Sequence, residues 1–132
     1  MIEIKNKIKE LLAFNEVEPV YSFGSTDPNS LDNIMEKQEN IIGELKELAR
    51  ANDTVLGRII KFGMGDGYAL YVITKVNKRT VEITWIKYCD AWQDQRAGYC
   101  SNLNIDYAKQ QVKGEDAMEK LFPPMKRVRT SF

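Results

Sequence analysis

Two pairs of carboxylates are the residues best suited by type and spacing to do chemistry. Asp90 and Asp94 flank Trp92, and Glu115 and Glu119 lie one helical turn apart. Paired carboxylates beside an aromatic ring suit glycosidic cleavage or the holding of a hard cation. Asp90 and Asp94 have no third acidic ligand close by in sequence, which makes a poor metal loop. Glu115 and Glu119 sit in a polar, surface-like stretch. Solvated acids and local salt bridges are the simpler reading of all four. The chain has no histidine, which removes the Ser-His-Asp triad, the Cys-His pair and imidazole zinc sites. Cys89 has no imidazole to activate it, and Cys89 with Cys100 cannot supply a four-thiolate metal site. No catalytic residue, metal site or cofactor is expected.

Gly63, Gly65 and Gly67 invite a phosphate-loop reading. Their spacing is not the dinucleotide fingerprint, no Gly-Lys-Ser or Gly-Lys-Thr follows, and the run lies between two strand-like segments. A hairpin turn explains it. Tyr71, Tyr88, Trp92, Arg96 and Tyr99 form the candidate partner-binding group, because tyrosine and tryptophan bury apolar area while keeping a polar handle. Core filling competes with this reading for each tyrosine taken singly. Lys75, Lys78, Arg79 and Arg96 support an alternative, phosphate contacts to nucleic acid.

The elements that must position these residues fall into two regions of opposite charge. Residues 1–53 carry six basic and eleven acidic side chains, and residues 54–132 carry thirteen and eight. The whole chain of 132 residues is neutral, with a pI near 6.3, which argues against a wholly basic nucleic-acid coat. Apolar residues at helical spacing predict a helix over 2–13. Residues 15–30 read as a linker with a short extended piece at Val20–Phe23. A second helix should run over 31–51 behind cap residues at 27–30. Leu31, Ile34, Ile41, Leu45 and Leu48 follow a three-four alternation with Gln38 at its polar position, so this stripe is the candidate seam of a homodimer. Packing on the chain's own domain is the competing reading. At Gly43, close packing would compensate the loss of helix propensity.

Residues 54–62, 68–76 and 80–86 read as strands of an antiparallel meander, with Val81, Ile83 and Trp85 facing a core and Glu82 and Thr84 facing water. Residues 87–101 read as a long loop, 102–107 as a fourth strand, and 115–122 as a short helix stopped by Pro123-Pro124. The run from Gly67 to Val81 resembles a strand–turn–strand phrase of small SH3-like barrels and is similar to phrases in short bacterial and mobile-element proteins. That resemblance implies a bacterial or phage source and no particular activity.

The expected fold is therefore α+β: N-terminal helices plus a small, strongly curved antiparallel sheet or SH3-like barrel. Its core should include Leu56, Ile60, Val72, Val81, Ile83 and Trp85. The expected organisation is a helical oligomerisation or partner-binding region at 1–53, a β domain at 54–122 and a basic tail at 123–132. The start of the chain lacks a secretory signal and no apolar run is long enough for a bilayer, so a cytoplasmic protein with free thiols and no membrane contact is expected. The expected function is non-enzymatic binding of another protein, as an inhibitor from a phage or plasmid or as an accessory subunit. A nucleic-acid-binding small barrel is the alternative, and a carboxylate-dependent enzyme the third.

Overall fold

The computed structural model describes residues 1–20, 27–64, 67–89 and 100–122. Helix α1 spans Ile2–Ala13 and continues into a short 3-10 turn, Phe14–Glu16. Helix α2 spans Leu31–Ala51. Ser30 caps it by accepting from the Asn33 amide at 3.4 Å, which satisfies one of the amides that a helix start leaves without a partner. At its far end Asp53 takes a left-handed backbone (φ 48°), a conformation that Asp tolerates and that stops a helix.

Four antiparallel strands follow: β1 Ile59–Met64, β2 Gly67–Val76, β3 Thr80–Trp85 and β4 Cys100–Asn104. They pair in chain order, as connections too short for a crossover require. A bulge between Ile73 and Lys75 shifts the register of β2 on β3 and bends the sheet. The result is a small curved half-barrel in which β1 and β4 form the two edges.

Each face of the sheet has its own core. On one face Ile60, Tyr71, Ile73, Val81, Ile83 and Trp85 pack against Ala108 and Val112 of helix α3, Ile105–Leu121. On the other face Val72 and Ile86 pack against Ile4, Ile8 and Leu11 of α1 and Leu45 of α2, with Leu56 completing the cluster. Strand β2 is the shared wall, and for that reason it reads as nearly continuous apolar sequence while β3 alternates. All six core residues expected from sequence are buried. Toward β4 the second face turns polar, with Thr74, Glu82, Thr84 and Asn102 lining a small open hollow.

Strand ends differ from expectation by a residue or two, β1 running to Met64 and β4 starting at Cys100, and two differences are larger, one before β1 and one where α3 begins at Ile105 and not near 115. Residues 54–58 are not part of the first strand, because Gly57 takes φ 84° and so breaks the extended run. A Cβ there would lie 2.9 Å from Leu45 Cδ2 and 3.2 Å from Ile4 Cγ2, so the residue is fixed by close approach as well as by its dihedral. The second difference concerns 105–107, which open α3 instead of ending a strand. Asn104 accepts from the amides of Asp106 at 2.9 Å and Tyr107 at 3.3 Å, a side-chain cap that turns an alternating run into a helix start. Gly114 then lies inside a 17-residue helix whose far turns are tied down by ion pairs.

Candidate functional site

The sequence-derived residues separate once placed. Tyr71 is a core side chain, 4% exposed, meeting Phe62 edge-on with ring centroids 5.5 Å apart. Tyr88 is also buried. Its hydroxyl donates to the Val17 carbonyl, and the Lys87 ammonium sits 4.9 Å above its ring. Both rings therefore fill the interior. Trp92, Arg96 and Tyr99 lie outside the described residues, as do Asp90 and Asp94. Lys75, Lys78 and Arg79 are exposed around the β2–β3 turn, and Lys75 approaches Glu82 at 3.8 Å.

The α2 stripe faces inward within one chain. Ile34, Gln38 and Leu45 have no exposed surface, while Ile41 and Leu48 are half-buried against the α1 core and Leu31 is half-buried at the helix start. Gln38 is the polar position of the stripe because it has a job inside the chain. Its amide donates to the Lys87 carbonyl at 2.8 Å, and its Oε1 accepts from the Cys89 thiol at 3.1 Å. Asn15 closes the same knot, donating to the Trp85 carbonyl and accepting from the Lys87 amide, both at 2.9 Å. The chain leaving β3 is thus pinned to α2 and to the 3-10 turn that follows α1. Tyr88 is held there at φ 73°, a strained conformation for a bulky residue that persists only where its surroundings fix it. Among the described residues Cys89 and Cys100 are not joined to each other by a disulfide.

A separate cleft lies between the C-terminal end of α2 and α3. It is a cleft of about 780 Å³, within the size range of sites that bind small molecules or side chains. Ala49, Val55, Val76, Ile105, Val112 and Ala117 give it an aliphatic lining, and none of its lining residues is aromatic. An ion-pair network crosses one wall. Arg58, 3% exposed, donates two bonds to Asp116 at 2.7 and 3.2 Å and lies 3.6 Å from Glu115. Arg50 donates to Asp116 at 2.8 Å and also to Glu119, which Lys46 approaches at 3.4 Å. The Arg58 guanidinium, followed by Arg50, holds the Asp116 carboxyl at about 2, well below its ordinary 3.8. Glu119 is likewise held low, chiefly by Arg50. Glu115 and Glu119 are therefore partners of cations in a structural network and are not arranged as an acid–base pair.

The rest of the cleft carries unspent positive charge. Lys109, Lys113 and Lys120 line it from α3, are exposed, and have no ion pair among the described residues. Asp53 and Asp116 are the acids of the lining. No family model, curated protein or solved structure matches this chain. The opposite side of α3 is apolar at both ends. Tyr107, Met118, Leu121 and Phe122 are 40, 56, 72 and 70% exposed; Tyr107, Met118 and Leu121 share the outer face of the helix with Gln111 and Gly114 between them, and Phe122 follows as its cap residue. Sequence reasoning missed both features because it read 102–107 as strand. Read as one helix from Ile105, the same residues show a basic edge and an outer face that is apolar at its two ends. Among the described residues no group of three or more His, Cys, Asp or Glu side chains is placed to hold a metal ion. No helix among them is long and apolar enough to cross a membrane.

Proposed function

We propose that this protein is a non-enzymatic binding domain that acts on another protein, and that α3 is the element it presents. The observation that carries this reading is the exposed apolar group at the far end of α3. Met118 and Leu121 of α3 and Phe122 just past its end are three large apolar side chains within five residues, each more than half exposed, as Met1 and Ile2 are at the start of the chain. Clustered exposed apolar side chains of this kind mark interaction surfaces, and large aromatic or methionine side chains serve as their anchors. An inhibitor of another protein or an accessory subunit fits the reading. Affinity capture from nuclease-treated lysate tests it, with Met118→Glu/Phe122→Glu as the control bait. The proposal expects a protein retained by the wild type after nuclease treatment and lost by the variant. Recovery of nothing but nuclease-sensitive material would refute it.

Nucleic acid is the second reading, favoured by one observation. Lys78 and Arg79 are exposed on a turn anchored to the start of α3, where the Ile105 amide donates to the Arg79 carbonyl at 3.0 Å. If phosphates are contacted there, affinity for oligonucleotides should fall steeply with salt, because condensed counterions are released on binding. Replacing Lys75, Lys78 and Arg79 together should then weaken binding to many sequences alike.

A further inference from the structure

The cleft between α2 and α3 has features that the outer face of α3 lacks. Its cations divide into two classes. Arg50 and Arg58 are already committed to Asp116 and Glu119, so they stiffen the wall without adding free charge. Lys109, Lys113 and Lys120 line the same cleft with their charges unpaired among the described residues. Their positions fall on one face of α3, since steps of four and seven residues return to nearly the same side of a helix. The rest of the lining is mixed: the paired Arg50, Arg58 and Asp116, with the aliphatic Ala49, Val55, Val76, Ile105, Val112 and Ala117 beside them. A ligand that matches must therefore offer carboxylates or phosphates along one edge and aliphatic groups along the other. The lining has no aromatic ring on which a base would stack, which disfavours single-stranded nucleic acid. Asp53 at the end of α2 would repel an anion there and confines the acidic edge to the α3 side.

We infer that this cleft binds an acidic, aliphatic segment of a protein partner, with Lys109, Lys113 and Lys120 facing its carboxylates and Val55, Val76 and Val112 receiving its apolar side chains. The inference rests on the protein-binding reading and supplies the chemistry of the partner. It also assigns different work to the two sides of α3: the outer face gives apolar area, and the cleft selects by charge. Charge selection of this kind governs which partner is accepted and how fast it docks.

Fluorescence anisotropy with the intact protein tests it. The probe is a labelled twelve-residue peptide of glutamates with leucine at every third or fourth position. Its counterparts are the same peptide with lysine for glutamate and a twelve-residue oligothymidylate. The acidic peptide should bind at least tenfold more tightly than either counterpart. Lys109→Glu/Lys113→Glu should weaken it tenfold or more, with the urea midpoint unchanged because both side chains are exposed and have no ion pair among the described residues. Ala117→Trp, which fills the cleft without altering charge, should weaken it to a similar extent. Oligothymidylate binding as tightly as the acidic peptide would overturn the inference. Loss with the lysine variants but not with Ala117→Trp would also overturn it, because binding would then be to surface charge outside the cleft. Light scattering showing a dimer abolished by the lysine variants would make a second copy the occupant and overturn the partner assigned here. If no probe binds at 100 µM while capture through Met118 and Phe122 persists, the cleft inference fails and the protein-binding reading stands.

Discussion

Removing either member of the Arg58–Asp116 pair should destabilise the fold, but unequally. Arg58 is 3% exposed, whereas the Asp116 side chain is 32% exposed. Asp116→Ala leaves a buried guanidinium whose remaining acidic neighbour among the described residues is Glu115 at 3.6 Å. Breaking a buried ion pair from one side costs about 3–5 kcal/mol, and partial exposure of this carboxylate puts the expected cost near the lower end, about 3 kcal/mol. Arg58→Met keeps most of the apolar stem and leaves an Asp116 that reaches water and still accepts from Arg50 at 2.8 Å. That change should cost about 1 kcal/mol. With a urea slope of about 1.5 kcal/mol per molar, the midpoints should fall by about 2 M and about 0.7 M respectively. The pH dependence carries the same signature. The Asp116 carboxyl is lower in the folded state, about 2 against an ordinary 3.8, so its stabilisation is fully present above about pH 4 and is lost as pH falls toward 2. Solvent screening at a one-third-exposed group reduces this contribution to about 1–2 kcal/mol. Urea titrations of the wild type and Asp116→Ala from pH 7 to pH 2 should converge through that window. An Arg58→Met cost equal to or above that of Asp116→Ala, or parallel pH curves for wild type and Asp116→Ala, would refute the reasoning.

Three further substitutions probe the cores and the polar knot. Gly57→Ala combines a positive backbone dihedral with a Cβ 2.9 Å from Leu45 Cδ2, so it should lower stability by about 2–4 kcal/mol in chemical denaturation. Gly43→Ala should do the opposite, raising stability by up to about 1 kcal/mol, because nothing lies within 4 Å of a Cβ there and alanine is the better helix former. Gln38→Leu removes the hydrogen bonds that Gln38 donates to the Lys87 carbonyl and accepts from the Cys89 thiol. It should cost about 2 kcal/mol and speed the reaction of Cys89 with a thiol reagent relative to Cys100 in the same chain.

What sequence shows of this molecule depends on whether a signal is local. Helix α2 was legible because its cap and its apolar spacing lie within one segment, and β3 because Val81, Ile83 and Trp85 alternate cleanly. The partner of the α2 stripe was not legible. An apolar face is satisfied equally by another chain or by α1, and only the fold shows Ile4, Ile8 and Leu11 meeting it. Gln38 looked like a register-setting polar residue in a seam, yet its partners, Lys87 and Cys89, are remote in sequence. The packing expected to compensate Gly43 is absent, since that face of α2 is open. The start of α3 was misread because Leu103, Ile105 and Tyr107 alternate like a strand, and the Asn104 cap that overrides this is a single side chain. The cleft was invisible for a different reason: Arg50, Arg58 and Asp116 meet only through tertiary approach of α2, the turn before β1, and α3.

The central claim, that α3 presents the surface by which this protein binds another, is tested most directly by hydroxyl-radical footprinting of the free protein against its complex with a captured partner. Tyr107, Met118, Leu121 and Phe122 are all exposed in the free chain and should react readily there. Met118 and Phe122 should lose most of that reactivity in the complex, while the buried Tyr71 and Tyr88 should stay unreactive in both states. Met118 and Phe122 remaining as reactive in the complex as in the free protein would contradict it.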